Sequence, residues 1–413
     1  VFVHSTPNHT GRLYRVSLEG GLPQAITPDF GDYASPVISP DGSQVLFVHS
    51  YERADCLALV RTDGQSWPLK LAGGADFYMQ PTWHPDGQQI AWIEWNHPQM
   101  PWDGTRLMTA RLGVTGLTDV KQIFGGTDIP VFQPEYSPDG RFLAFLANDG
   151  EWDQLYVLNL ATGQKQVLVS DASLLEPAWV QGMRLFAWNP DSTCLYYLKN
   201  DKGWRTLWML ELASGQSQAI DIAPYTWVSQ IAPSPFGPKL DLIASSSKIP
   251  TRIVTVENGQ QRIERRSSGE AVPEAELPEP RPIEWPAPDG TIVHGLYYPP
   301  TSTRFSSTGL PPAIVHIHGG PTSARVSSFN PDAAYFTTRG YAFLEVNYRG
   351  SSGYGRSYML MLREKWGLLD TEDAAGGARN LRPQAGIMTT DAARDVINVG
   401  ESNHVTGAAE IRD

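Results

Sequence analysis

The chain has 413 residues, of which 41% are hydrophobic and 18% are charged. This composition is typical of a folded globular protein, and the length is sufficient for two domains. The formal net charge of −12 disfavours nucleic acid and anionic membranes as partners, because both present negative phosphates.

Cysteine content and targeting signals say little about function. Cys56 and Cys194 are far apart, which favours buried free thiols over a disulfide framework or a thiolate metal site. No apolar run approaches the roughly 20 residues that cross a bilayer, and no signal peptide is recognisable. The chain begins with Val1 inside a predicted strand, so we expect that N-terminal residues are missing. Because no signal peptide is recognisable, the expected location is cytoplasmic.

A turn phrase recurs along the first two thirds of the chain, at spacings of 45, 53 and 52 residues. Proline presets φ, aspartate bonds its own backbone and glycine accepts positive φ, so Pro-Asp-Gly favours a turn. Each copy follows a proline-containing segment and precedes two alternating apolar segments, which are typical of short antiparallel strands. The copies are SPDG at 39–42, HPDG at 84–87, SPDG at 137–140 and NPDS at 189–192.

A period of about 40 to 50 residues with several strands in each repeat is typical of β-propeller blades. About five blades are visible, including partial copies at 13–21 and 241–247. The sequence therefore predicts an all-β propeller of four-stranded blades over residues 1–263, with N-terminal blades missing. Conspicuous Trp and Tyr residues of the repeats are interpreted as blade packing.

The pattern changes after the repeats. Residues 264–288 are rich in proline and lack periodicity, which predicts a linker between domains. Apolar strands then alternate with helical segments, which predicts the N-terminal part of an α/β domain over residues 289–413. The expected strands are 290–300, 312–320 and 341–350, and the expected helices include 330–340 and 370–381.

One strand of this second domain ends in a glycine-rich turn, His318-Gly319-Gly320-Pro321. In serine hydrolases such a turn supplies a backbone N–H to the oxyanion hole. His316 and His318 also form an H-x-H pair that can suit a metal, but no third ligand has plausible spacing, so no metal site is predicted. Arg349 is a candidate for contact with a substrate carbonyl, and the alternative is a buried arginine that hydrogen-bonds its loop.

The nucleophile is harder to find. No serine has glycine at both the second residue before it and the second residue after it, so the G-x-S-x-G elbow is not present. Ser402 is a weak candidate, because it follows the predicted strand of RDVINVG (394–400). His404 replaces the second glycine, and too few residues follow for the Asp and His of a triad.

Several segments resemble the prolyl oligopeptidase family of serine peptidases, near its dipeptidyl-peptidase and acylaminoacyl-peptidase branches. The resemblance covers residues 1–381 and implies a β-propeller followed by a partial α/β-hydrolase domain. It further implies hydrolysis of short peptides through an acyl-enzyme, access gated by the propeller, and no metal or organic cofactor. It assigns Gly319 and Gly320 as N–H donors and His318 as the residue that orients the turn. The segments are AWIEWNHPQMPWDGTRLMTARL (91–112), DGTIVHGLYYPP (289–300), HIHGGPTSA (316–324) and YAFLEVNYRGSSGYGRSYMLMLREKWGLLDTEDAAGGARNL (341–381).

The tail, residues 382–413, departs from the family pattern. It contains no aromatic residue and offers no triad Asp and His, so the chain as given is predicted to be inactive. A truncation, or a change of reading frame near residue 382, would explain this. A non-catalytic propeller that binds or scaffolds other proteins is the alternative function, and an esterase is a further one. The cleavage-site preference and the oligomeric state are left open.

Overall fold

The computed structural model describes residues 1–5, 11–114, 116–302 and 311–384. Most of the secondary structure is β-strand. The chain opens with a three-stranded antiparallel sheet of β1 (Phe2–Ser5), β2 (Gly11–Arg15) and β3 (Gln24–Ala25). The partial repeat predicted at 13–21 therefore corresponds to β2 and the turn after it.

Five four-stranded sheets follow along the described residues, and each uses four consecutive strands. The strands are β4 (Asp32–Ile38), β5 (Gln44–Tyr51), β6 (Ala54–Arg61) and β7 (Leu69–Ala72); β8 (Phe77–Trp83), β9 (Gln89–Trp95), β10 (Arg106–Gly113) and β11 (Gly116–Gly125); β12 (Val131–Tyr136), β13 (Phe142–Ala147), β14 (Asp153–Asn159) and β15 (Lys165–Ala172); β16 (Phe186–Trp188), β17 (Cys194–Asp201), β18 (Trp204–Glu211) and β19 (Ser217–Ile220); β20 (Trp227–Pro233), β21 (Lys239–Ser246), β22 (Ile249–Glu257) and β23 (Gln260–Arg266).

The repeated phrase forms the turn between the first and second strands of four of these sheets. In the first copy the N–H of Gly42 donates to the carbonyl of Ser39 at 2.9 Å, and Gly87 and Gly140 repeat this bond with His84 and Ser137. A further segment, SPFG at 234–237, joins β20 to β21 at the corresponding position between the first and second strands. It lacks the aspartate of the phrase, which is why the repeat pattern did not reveal it.

The last sheet mixes strand directions. It contains β24 (Arg281–Pro286), β25 (Ile292–Tyr298), β26 (Ala313–Ile317) and β27 (Ala342–Asn347), in the order β24-β25-β27-β26. The strands β26 and β27 are parallel, and the other pairs are antiparallel. The parallel pair therefore consists of the two strands that follow residue 312. Among the described residues β26 is an edge strand, and the predicted strand RDVINVG (394–400) lies outside them.

In the part of the chain that the structure describes, three helices lie between or after these strands: α1 (Pro331–Thr337), α2 (Arg356–Leu360) and α3 (Leu369–Gln384). Asn330 caps α1, because its side chain accepts hydrogen bonds from the N–H groups of Asp332 and Ala333. A single 3-10 turn, Glu274–Glu276, lies within the predicted linker, which also contains the end of β23 and the whole of β24.

The chain divides into two compact units. Unit 1 comprises Val1–Tyr197, Met209–Ser217 and Pro233–Gly237, and unit 2 comprises Leu198–Trp208, Gln218–Ala232 and Pro238–Asp413. A core of unit 1 surrounds Trp92, where side chains of β5 and β6 pack with those of β8 and β9. A core of unit 2 surrounds Trp285 on β24, packed against β27 and α3.

Two further expectations concern the thiols and membranes. Cys56 and Cys194 are free and half-buried. None of the helices in the described ranges is long and apolar enough to cross a bilayer.

Candidate active site

The candidate site lies where two parallel strands of unit 2 end. Parallel strands present their carboxyl ends at the same edge of a sheet, so the residues that follow β26 and β27 meet. His318 follows β26 directly, and Tyr348 follows β27. Their rings stack with centroids 4.4 Å apart.

The turn after β26 keeps its two glycines at the surface, while His318 is buried. Gly320 has a φ of 102°, a conformation that favours glycine strongly. The Tyr348 hydroxyl lies 3.0 Å from the carbonyl oxygen of His318 and 3.1 Å from that of Pro321. The Tyr348 phenol therefore contacts both ends of the turn, and Gly319 and Gly320 lie on the solvent-exposed side of the turn.

Burial determines the protonation of His318. Loss of solvation lowers the pKa of its imidazole from 6.5 to about 4, so the ring is neutral at neutral pH. Its Nε2 lies 2.9 Å from the Ser351 hydroxyl, and its Nδ1 lies 3.1 Å from the Gly319 carbonyl. These partners fit the tautomer in which Nδ1–H donates to Gly319 and Nε2 accepts from Ser351.

Ser351 and His318 therefore form a serine–imidazole pair, but its environment does not suit a nucleophile. Ser351 is 0% exposed, and Nδ1 of His318 faces a carbonyl and the Tyr348 phenol instead of a carboxylate. A nucleophile must reach the substrate, and its base is normally oriented by a third, often acidic, group. The pair instead fixes the turn to the loop after β27.

The segment after the turn is anchored to β27 by two buried polar residues. Asn347 accepts from the N–H of Arg325 at 2.7 Å and donates to its carbonyl at 3.0 Å. Glu345 accepts from the Tyr298 hydroxyl and from the Asn330 amide, both at 2.8 Å. Because Asn330 also caps α1, β27 anchors both the segment after the turn and the start of the helix.

Arg349 is 1% exposed and bound by acidic side chains. Nε donates to Asp373 at 3.0 Å, Nη1 donates to Asp289 at 2.7 Å, and Nη2 donates to Asp373 at 2.7 Å and also to Glu372. Burial alone would lower the pKa of the guanidinium, but the bonds to Asp373 and Glu372 outweigh it and raise the pKa. All three guanidinium nitrogens thus donate to carboxylates, as expected for a buried arginine with a structural role. Few N–H groups of Arg349 are then left to bind a substrate carbonyl.

The two histidines of the H-x-H pair have different surroundings. His318 contacts Tyr348 and Ser351, whereas Nδ1 of His316 faces Glu345 at 3.5 Å. Within the described ranges, no group of three or more His, Cys, Asp or Glu side chains is arranged to hold a metal ion. Ser402, the weak candidate nucleophile, lies outside the described residues.

Sequence reasoning found the turn but missed the residues that hold it. Tyr348, Ser351 and Asn347 all lie in VNYRGSS, which covers the last two residues of β27 and the loop directly after it. Polar side chains at that point are the signal that could have revealed them, since they must meet the turn at the sheet edge. Asp373, near the start of α3, binds the N–H and the guanidinium of Arg349 through its carboxylate.

The chain is similar in sequence to a known protein family and to curated proteins. A family model described as the prolyl oligopeptidase family matches residues 327–403, which include β27, α3 and the position of Ser402. Dipeptidyl-peptidase 5 of Porphyromonas gingivalis is 22% identical over 308 residues, which are 70% of this chain and 42% of that protein.

Solved structures are similar over most of the chain. A puromycin-hydrolyzing peptidase of Mycobacterium tuberculosis matches with a TM-score of 0.84 and 29% identity, over 92% of this chain and 61% of that one. A mutant of puromycin hydrolase complexed with PGG matches with a TM-score of 0.83 and 31% identity, again over 92% and 61%. The chain therefore spans less than two thirds of the length of each of these relatives.

Proposed function

The chain belongs to the prolyl oligopeptidase family, and on that premise we propose that its function is that of a serine-type peptidase acting on short peptides. The observation that carries this proposal is the turn from His318 to Pro321. The Tyr348 hydroxyl hydrogen-bonds to the carbonyls at both ends of this turn, and both glycines are exposed. The peptidase relatives support the substrate class, and one of them was solved with PGG.

The proposed architecture follows the same relatives. The successive sheets of residues 1–263 are proposed to be blades of a β-propeller that gates access. Residues 264–288 are proposed to lead into an α/β-hydrolase domain that begins near residue 289. The β24-β25-β27-β26 order, with only β26 and β27 parallel, supports the start of such a domain.

In the proposed chemistry, a serine oxygen attacks the peptide carbonyl carbon while a histidine base takes its proton. The carbonyl oxygen gains negative charge, and N–H groups of Gly319 and Gly320 stabilise it. The tetrahedral intermediate expels the amine, which takes the proton from the histidine, and water then hydrolyses the acyl-enzyme. His318 acts in this scheme as a neutral positioning residue, because its imidazole is already committed to Ser351 and Gly319.

We further propose that the 413-residue chain does not itself hydrolyse peptides. The sequence contains no G-x-S-x-G, and Ser402 lacks the second glycine that the elbow needs for a tight turn. Binding of short peptides without hydrolysis is the second candidate function, and the same missing elbow favours it. Arg349 is proposed to stabilise the loop after β27 and not to contact substrate.

The test combines sequencing with active-site labelling. The locus is read upstream of Val1 and past Asp413, and both the 413-residue chain and the product of the complete reading frame are treated with a fluorophosphonate probe. A dipeptidyl amide and a matched ester serve as substrates, and Ser402→Ala in the 413-residue chain is the control.

We expect the probe to label a serine within G-x-S-x-G in the complete product, and to leave the 413-residue chain unlabelled. Labelling of the 413-residue chain that disappears in Ser402→Ala would overturn the proposed inactivity. A product that is never labelled, or that cleaves only the ester, would overturn the peptidase proposal.

A further inference from the structure

The fourth repeat of the turn phrase is preceded by an insertion, which lies in unit 1. In the first three repeats an X-Pro pair begins four residues before the turn phrase, as Ser35, Gln80 and Gln133 precede Ser39, His84 and Ser137. In the fourth repeat Glu176 precedes Asn189 by 13 residues. The extra residues lie within 173–185, a segment without regular strand or helix that we name the strap.

The strap faces a feature that the first strands of three sheets share. Ser35 on β4, Gln80 on β8 and Gln133 on β12 have φ values of 48°, 50° and 49°. Each position coincides with a register shift against the second strand. A left-handed residue at a bulge redirects its side chain away from the ladder, which frees that side chain to bond outside its own sheet.

The strap makes hydrogen bonds to two of these first strands through one side chain. The Gln181 Oε1 accepts from the Ser35 hydroxyl at 2.7 Å, and its Nε2 donates to the Tyr78 carbonyl at 2.9 Å. Gln181 is 146 residues from Ser35 and 103 residues from Tyr78 in the chain. One amide therefore joins β4 and β8, which belong to different sheets.

Gln80 and Gln133, the two glutamines at the bulges, also form hydrogen bonds with the strap. The Gln80 Nε2 donates to the Met183 carbonyl at 3.2 Å, and its Oε1 accepts from the N–H of Gln133 at 2.6 Å. The Gln133 Oε1 in turn accepts from the N–H of Leu185 at 2.6 Å. Arg184 adds an ion pair with Glu135, whose Nε–Oε1 distance is 2.8 Å.

Both the start and the middle of the strap are also held. The carboxylate of Asp153, at the start of β14, accepts from the N–H groups of Leu174 and Leu175 at 2.8 Å each. Trp179 packs on Trp102 with ring centroids 4.4 Å apart. The strap is thus fixed at successive points along its length, and its partners come from three sheets.

We infer that residues 173–185 lock the first strands of three sheets into one cooperative element. Releasing one glutamine would loosen β4, β8 and β12 together, because Gln181, Gln80 and Gln133 share their bonds through the strap. One consequence, for the access of peptide substrates, rests on the proposed function. If these sheets are gating blades, a peptide can pass between their first strands only after the strap is released.

The test is amide hydrogen exchange of the full 413-residue chain, read by mass spectrometry at peptide resolution. Gln181→Met removes both hydrogen bonds of the amide and keeps the length of the side chain. Gln166→Met, at an exposed position on β15, is the matched control. Ser35→Gly is a second variant, because it removes the hydroxyl and tolerates the left-handed φ.

For Gln181→Met we expect exchange to quicken by about tenfold in β4, β8 and β12 together, with Gln166→Met unchanged. Ser35→Gly should produce the same pattern more weakly. Faster exchange confined to 173–185, or to β4 alone, would overturn the inference. Hydrogen exchange does not depend on catalysis, so the result would still test the role of the strap if the peptidase proposal failed.

Discussion

His318 is a residue whose charge is decided by burial. In the sequence it is one of nine histidines, and nothing in its neighbours predicts a neutral ring at acidic pH. In the folded chain its pKa falls to about 4, whereas the unfolded chain titrates near 6.5. The unfolded state therefore binds more protons between these values, and stability rises with pH in this window.

The stability that His318 contributes should be complete above pH 6.5 and be lost as the pH falls toward 4. Between pH 7 and pH 5 we expect the wild-type chain to lose about 2 kcal/mol more of its free energy of unfolding than His318→Asn loses. Urea denaturation at the two pH values measures this difference. His4→Gln, at an exposed position on β1, should track the wild type. Equal losses in wild type and His318→Asn would show that the imidazole is not held neutral.

Arg349 illustrates how partners distant in sequence settle a role. The sequence left it between substrate contact and loop support, and only the folded chain brings Asp289 and Asp373 to its guanidinium. The side chain of Asp373 is fully buried, and the guanidinium of Arg349 balances its negative charge.

Arg349→Met should destabilise the chain by about 3–5 kcal/mol, because it leaves the Asp373 carboxylate buried without its cation. Urea denaturation measures the loss, and Arg379→Met, at an exposed position on α3, provides the control. An Arg349→Met chain as stable as the wild type would instead favour the substrate-contact role.

At the scale of elements, α3 contains two adjacent glycines that weaken it as an isolated helix. Each interior glycine costs about 1 kcal/mol relative to alanine. The sheet explains them, since a Cβ at Gly376 would lie 2.9 Å from Nε1 of Trp285, and one at Gly377 would lie 2.9 Å from Cζ2. The same indole donates to the Asp373 carbonyl at 3.1 Å, which seats the helix on β24.

Gly376→Ala should therefore lower the free energy of unfolding by about 1–2 kcal/mol, although alanine is the better helix former, because overlap with the indole outweighs propensity. Arg379→Ala on the same helix should change it by less than about 0.5 kcal/mol. Urea denaturation of the two variants makes the comparison. A more stable Gly376→Ala would mean that the indole yields and propensity dominates.

At the scale of the whole molecule, the order of sheets along the chain was visible in the sequence. The turn phrase and the apolar segments after it predicted where the second strands begin; β9 (Gln89–Trp95), for example, begins two residues after HPDG. The prolyl oligopeptidase resemblance is confirmed by the family match and by the similar structures. The propeller, its boundaries and the catalytic role are still proposals, and the labelling experiment addresses the last of these.

Local chemistry explains what the sequence determined by itself. Turn residues, strand alternation and the glycine-rich turn depend on neighbours within a few positions, so they can be identified without a fold. The clamp of Tyr348, the buried Arg349–Asp373 pair and the strap across three sheets were decided only by the tertiary structure. Their partners are 24 to 146 residues apart, and burial gives these contacts their strength, so no local pattern carries them.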